Sequence, residues 1–123
     1  MSSSYESFVC VVDDNAGVRE ALSTLLNVHG IPTQTFATPQ EFLDTFDASK
    51  CCCLVLDERL PGMTGLQLLD RIPGRGEFPV FMITGHGDAR MIAEAQEKGV
   101  IKCFQKPFGG NELVSSIQQA ICR

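Results

Sequence analysis

The chain predicts an α/β domain in which a five-stranded parallel sheet is doubly wound, with helices on both faces. Two features of the sequence carry that prediction. Apolar runs of strand length alternate with amphipathic helical patterns in five units of roughly 20 to 30 residues, and no hairpin signal such as Asn-Gly joins one strand to the next. The runs are also apolar along their whole length, as strands buried on both faces must be.

Phe8-Val9-Cys10-Val11-Val12 is β-branched, ends in Asp13-Asp14, and reads as the first strand. Val18, Ala21, Leu22, Leu25 and Leu26 then fall on one helical face, and Gly30 offers a left-handed stop. Thr33 to Phe36 is a short second strand. Thr38-Pro39-Gln40-Glu41 supplies a capping hydroxyl, a proline at the first helical position and a capping-box glutamate, so a second helix turns Phe42, Leu43 and Phe46 inward. The third strand is Cys52 to Leu56, ending at Asp57. Leu60-Pro61-Gly62-Met63 turns the chain into a helix capped by Thr64 and packed through Leu66, Leu69 and Ile72. Pro79 to Ile83 forms the fourth strand and ends at Thr84. Gly85-His86-Gly87-Asp88 caps a fourth helix with Ile92 and Ala95 inward, Gly99 stops it, and the fifth strand runs from Ile101 to Gln105 before Lys106-Pro107. A last helix begins near Gly110 and buries Leu113, Val114, Ile117 and Ile121.

With 123 residues, 44% of them hydrophobic and 20% charged, the chain is expected to fold as one domain spanning residues 1–123. A net charge of −5 gives it no basic field for a phosphate backbone, so no direct contact with nucleic acid is expected. No apolar run approaches the roughly 20 residues of a spanning helix, and Met1 to Glu6 lacks the basic and apolar regions of a signal peptide. The expected location is the cytoplasm, and the six cysteines are read as free thiols.

In an open parallel sheet the ligand sits beyond the carboxyl ends of the strands. Here those ends carry Asp13, Asp14, Asp57, Thr84 and Lys106. Two like charges about 4 Å apart repel by about 4 kcal/mol at an effective dielectric near 20, so three carboxylates gathered there need neutralising. Lys106 offsets one of them, and the remaining oxygens suit a hard cation such as Mg²⁺.

On these residues the sequence resembles the receiver domains of two-component response regulators, over nearly the whole chain. Asp13-Asp14 looks like their acidic pair, Asp57 with Pro61-Gly62-Met63-Thr64-Gly65 like the phosphoacceptor and its loop, Thr84 like the switch hydroxyl, and Lys106-Pro107-Phe108 like the Lys-Pro motif. Thr84-Gly85-His86-Gly87-Asp88 further resembles the FixJ-type branch, whose receivers usually precede a DNA-binding output domain. The chain stops at Arg123, at the end of its last helix, so that output domain is expected to be absent from it, either naturally or through truncation.

The resemblance implies the flavodoxin-like and CheY-like strand order 2-1-3-4-5. It implies that Asp57 takes a phosphoryl group from a sensor histidine kinase, or from a small acyl phosphate. Asp14 would ligate Mg²⁺ directly, Asp13 mostly through water, and Asp57 and the backbone carbonyl of Arg59 would add oxygens. Lys106 would pair with the phosphoryl group, Thr84 would donate to it, and Lys106-Pro107 would be cis. The face formed by the fourth helix, fifth strand and fifth helix would then change to control an output, expected to be transcription through a DNA-binding domain or an effector protein. A homodimer formed on phosphorylation is left open.

One position departs from that pattern: Cys103 stands where the family usually has an aromatic switch residue, while Phe104 has the opposite strand parity and should face the core. A thiol cannot swing a ring into space vacated by Thr84. The contiguous Cys51-Cys52-Cys53 lacks the spacing of a zinc site and reads as buried strand, Cys10 and Cys122 read as core and terminal-helix positions, and His86 reads as a loop residue.

Two other function classes compete. A Mg²⁺-dependent phosphatase or phosphotransferase with an aspartyl nucleophile would want a second Asp two residues later, where this chain has Arg59. A phosphorylation-independent interaction module has no need of the carboxylates and Lys106. The expectation is therefore a signalling switch with only weak self-phosphorylating and autophosphatase chemistry, rather than a turnover enzyme. A nucleotide switch is excluded, because no Gly-rich phosphate loop ending in Lys-Ser or Lys-Thr follows the first strand.

Overall fold

The computed structural model describes residues 7–72, 78–85 and 87–121. Five parallel strands form the sheet: β1 (Phe8–Val12), β2 (Thr33–Phe36), β3 (Cys51–Asp57), β6 (Val80–Thr84) and β7 (Val100–Gln105), in the order β2-β1-β3-β6-β7. Between β3 and β6 lies a separate two-stranded antiparallel ribbon, β4 (Arg59–Leu60) and β5 (Met63–Thr64). With the ribbon set aside, the order is the expected 2-1-3-4-5. The helices are α1 (Ala16–Val28), α2 (Pro39–Thr45), α3 (Gly65–Arg71), α4 (Ala89–Glu97) and α5 (Gly110–Ile121).

Successive side chains of a strand point to opposite faces, and β1 shows how the sheet is covered on both. Cys10 and Val12 join Leu54, Leu56 and Met82 in a core closed by Phe42 of α2, Leu68 and Leu69 of α3 and Ala95 of α4. Val9 and Val11 join Val55, Phe81 and Ile83 in a second core closed by Leu22 and Leu26 of α1 and Leu113 and Ile117 of α5. Phe104 belongs to this second core, as its strand parity requires.

The ribbon is a feature the sequence reading passes over. Leu60-Pro61-Gly62-Met63 was expected only as a turn, and Gly62, with φ +82°, provides the left-handed residue at which the chain reverses. Arg59 pairs with Thr64 and Leu60 with Met63, which folds the loop back beneath the carboxyl end of β3. Strand β3 starts one residue earlier than the apolar run suggested, at Cys51, after a short 3-10 turn over Ala48–Lys50 that the sequence did not announce.

Caps also differ in detail. Thr38 accepts from the Glu41 backbone N–H, but the Glu41 carboxylate takes the Ala37 N–H, so the anticipated box is displaced by one residue. The reciprocal box forms instead at α3, where Thr64 and Gln67 each accept the other's backbone N–H. Asp88 caps α4 and Gly99 follows it at φ +97°. The expectations for His86 and Cys122 lie outside the described residues.

Cys51 and Cys53 are buried in β3 and Cys52 is half-buried. Burial raises the Cys53 thiol well above its ordinary pKa, which keeps it an uncharged packing group.

Candidate functional site

The parallel strands bring their carboxyl ends to one edge, and Asp13, Asp14, Asp57, Thr84 and Lys106 all follow or end strands there. A strand-end aspartate before a helix is often nothing more than its cap. Here Asn15 performs that task, its side chain accepting from the Val18 N–H at 3.1 Å. Both aspartates are thereby released from capping. The sequence reading missed Asn15, although an Asn immediately before a helical pattern is a recognised capping signal.

Asp13 is fully buried. One carboxylate oxygen, Oδ1, accepts the Asn15 N–H at 2.9 Å, and its other oxygen, Oδ2, is buried without a hydrogen bond. Its backbone carbonyl accepts from Arg19 of α1 at 2.9 Å, which fixes the turn. Asp57 is 6% exposed, and Asp14 is exposed at the rim. One oxygen from each of Asp13, Asp14 and Asp57 falls within 4.8 Å of the others.

Lys106 crosses this cluster from the end of β7. Its Nζ stands 3.4 Å from Oδ2 of Asp13 and 3.4 Å from Oδ2 of Asp57. It therefore does not neutralise one carboxylate in particular but sits between two. Its backbone N–H donates to the Thr84 carbonyl at 2.8 Å, which ties β7 to β6 at the site, and the Lys106–Pro107 bond is cis as expected.

The electrostatics follow from that packing. Burial, and then the neighbouring Asp13 carboxylate, raise the Asp57 pKa above the usual carboxylate range, while Lys106 and a backbone hydrogen bond from Arg59 pull it back. Burial would lower the Lys106 pKa, but the Asp13 and Asp57 carboxylates outweigh it and raise the ammonium above its ordinary value. The cluster has a buried oxygen with an ion pair but no hydrogen bond, a second buried carboxylate whose pKa is raised, and only hard oxygen donors. Those residues fit a Mg²⁺ ion, which prefers a few carboxylates with water and phosphate oxygens.

Close approach shapes the floor of the site. A Cβ on Gly65, at the start of α3, would overlap the Asp57 carbonyl oxygen and Leu56 Cδ1. Glycine there lets α3 begin against the end of β3, and its N–H donates to the Glu58 carbonyl at 2.7 Å. Arg59, named from the sequence as a carbonyl ligand, opens the ribbon with an exposed side chain two residues past Asp57.

Thr84 is fully buried at the end of β6. Its hydroxyl donates to Oε1 of Glu58 at 2.7 Å. Glu58 is the second residue that the sequence reading missed, since a glutamate after the strand-end aspartate carries no motif of its own. Cys103 is half-buried and, like Met91, packs against the core that holds Met82. Burial, and then the nearby Glu58 carboxylate, raise its thiol pKa, which argues against a reactive thiolate.

Comparison with known proteins agrees with this geometry. The family model described as response regulator receiver domain matches residues 9–118. The response regulator protein TodT of Pseudomonas putida is 37% identical over 116 residues, which cover 94% of this chain and 51% of that protein. The transcriptional regulatory protein FixJ of Bradyrhizobium diazoefficiens is 36% identical over 114 residues, covering 92% of this chain and 56% of that one. The chain spans about half the length of these curated relatives. Among solved structures, the BeF3-activated receiver domain of DrrB from Thermotoga maritima superposes with a TM-score of 0.87 at 26% identity, covering 96% of this chain and 99% of that one. With a family match that runs from β1 into α5, a shared fold and an acidic cluster at the carboxyl edge of the sheet, this chain belongs to the response regulator receiver domain family.

Proposed function

We propose that this chain is the phosphoacceptor receiver of a two-component system, taking a phosphoryl group from a sensor histidine kinase onto Asp57. The observation that carries the reading is the Lys106 ammonium placed 3.4 Å from both Asp13 and Asp57 at the carboxyl edge of the sheet. That arrangement assembles a nucleophile, a balancing cation and further oxygen donors in one place.

In the proposed step an Asp57 carboxylate oxygen attacks phosphorus, a new O–P bond forms, and the P–N bond to the donor imidazole breaks with its electron pair leaving on nitrogen. Such a transfer depends on positioning and on neutralising charge over the equatorial oxygens. Lys106 supports the ionised nucleophile and then pairs with the phosphoryl oxygens. Thr84 donates its hydroxyl to one of them. Asp13, Asp14, Asp57 and the Arg59 carbonyl would hold Mg²⁺, which when bound supplies positive charge to the phosphoryl oxygens. The product is a switched protein and not a released one, so the chain acts as a signalling switch.

Phosphorylation then shifts the population of the α4–β7–α5 face. The relatives are named as response and transcriptional regulators, which supports transcription as the output, through a DNA-binding domain or an effector protein. No described helix is long and apolar enough to cross a membrane, and the reading places the switch in the cytoplasm.

Incubation with Mg²⁺ and a small acyl phosphate is expected to add one phosphoryl group per chain by intact-mass measurement, and Asp57→Asn to abolish the addition while keeping the parent's circular dichroism. Undiminished uptake by the variant would remove Asp57 from its role. Thr84→Ala is expected to take up the group yet respond weakly over α4, β7 and α5 in amide NMR shifts. Shifts as large as those of the parent would show that the hydroxyl does not transmit the change.

A further inference from the structure

The Thr84 hydroxyl is committed to a partner other than the phosphoryl site, and that partner is held firmly. The Glu58 N–H donates to the Ile83 carbonyl at 2.8 Å, and the Glu58 carbonyl accepts from Gly65 at 2.7 Å, so its backbone is pinned between β6 and α3. From there its carboxylate reaches Thr84 at 2.7 Å. The two residues flank the nucleophile: Glu58 follows Asp57 in the chain, and the Thr84 carbonyl is bonded to the Lys106 N–H.

Turning Thr84 away from Glu58 also disturbs the loop that leads to α4. A Cβ on Gly87 would lie 2.8 Å from Thr84 Cγ2, so the threonine methyl packs against the bare Gly87 backbone. The Gly87 carbonyl in turn accepts from Gln105 of β7 at 3.1 Å. A change of Thr84 rotamer therefore presses on both α4 and β7. Cys103 is too small to fill the vacated space, and the Glu58–Thr84 bond is a contact that orients the hydroxyl toward Glu58.

We propose that Glu58 is a positioning residue which holds the Thr84 hydroxyl before phosphorylation and competes with the phosphoryl group for it, so that its grip sets how easily the domain switches. This rests on the phosphoacceptor reading of Asp57. The competition is between two anionic acceptors for one donor, since Thr84 has a single hydroxyl proton to give. Losing the Glu58 acceptor should make activation easier without altering the nucleophile.

The test compares the parent with Glu58→Gln, Glu58→Ala, Thr84→Ala and the Glu58→Ala/Thr84→Ala double variant. Beryllofluoride with Mg²⁺ serves as the phosphoryl probe, followed by ¹⁹F and amide NMR. Glu58→Ala is expected to lower the half-saturating beryllofluoride concentration about tenfold, the order set by one charge-assisted hydrogen bond. Glu58→Gln keeps an acceptor while losing the charge, and should gain clearly less than Glu58→Ala. In the Thr84→Ala background the Glu58→Ala effect should vanish. An equal gain in Glu58→Gln, or an undiminished gain in the double variant, would assign the effect to charge repulsion and overturn the proposal.

A second arm needs no phosphoryl probe. Without beryllofluoride, three-bond couplings should report one Thr84 χ1 rotamer in the parent and in Glu58→Gln, and averaged rotamers in Glu58→Ala. A fixed rotamer in Glu58→Ala would show that Glu58 does not hold the hydroxyl. Failure of the parent to bind beryllofluoride would instead strike the phosphoacceptor reading, whatever the couplings report.

Discussion

Lys106→Met is expected to destabilise the domain at neutral pH by about 3 kcal/mol, the low end of the loss when one partner of a buried ion pair is removed. The side chain is 29% exposed, and it is the charge that sits between Asp13 and Asp57. Methionine conserves most of the volume, so the loss is electrostatic and should depend on pH. The folded-state pKa of Asp57 is already raised above its unfolded value. A group shifted in that direction contributes most below its unfolded pKa, and the contribution is lost as pH rises through the folded pKa. Removing Lys106 raises that pKa further. The deficit of the variant should therefore be small near pH 4 and grow toward pH 7. Denaturant melts across that range check it, and a deficit independent of pH would mean that Lys106 matters only for packing.

Mg²⁺ is expected to raise the parent's stability by about 2.7 kcal/mol at a concentration 100 times its Kd, because an ion bound only by the folded state stabilises it by mass action. Asp57→Asn should melt higher than the parent in EDTA, since the raised pKa marks its carboxylate as strained at neutral pH, and should lose most of the Mg²⁺ increment. Asp14 lies exposed at the rim, where water screens it, whereas Asp57 is enclosed. Asp14→Asn should still lose much of the Mg²⁺ gain, but with little change in EDTA. Thermal melts with EDTA and with Mg²⁺ decide the matter, and an Asp57→Asn variant that melts below the parent in EDTA would contradict the account.

What the sequence made legible was the part governed by periodicity and by strand ends. An apolar run of strand length stopped by aspartate reads as a strand that delivers a carboxylate to an edge, so Asp13, Asp14 and Asp57 fall together on the sequence pattern alone. What escaped it were contacts made by side chains with several equally good local roles. Asn15 could have been a loop residue, and only the structure shows that it takes the capping task and releases the aspartates. Glu58 reads as a surface charge until β6 is seen to bring Thr84 within 2.7 Å of it across 26 positions of chain. The β4–β5 ribbon escaped because two-residue strands leave no period to detect, and Pro61-Gly62 reads equally well as a plain turn. The reach of Lys106 to two carboxylates at equal distance is likewise a property of packing.

The central claim is that Asp57 becomes an acyl phosphate. Borohydride reduces an aspartyl phosphate to homoserine and leaves free carboxylates alone, so reduction after incubation with Mg²⁺ and a small acyl phosphate, followed by peptide mapping, locates the modified residue. The account predicts homoserine at position 57 and at no other aspartate, including Asp13 and Asp14. Homoserine at one of those positions, or a stably phosphorylated chain with Asp57 unreduced, would contradict it.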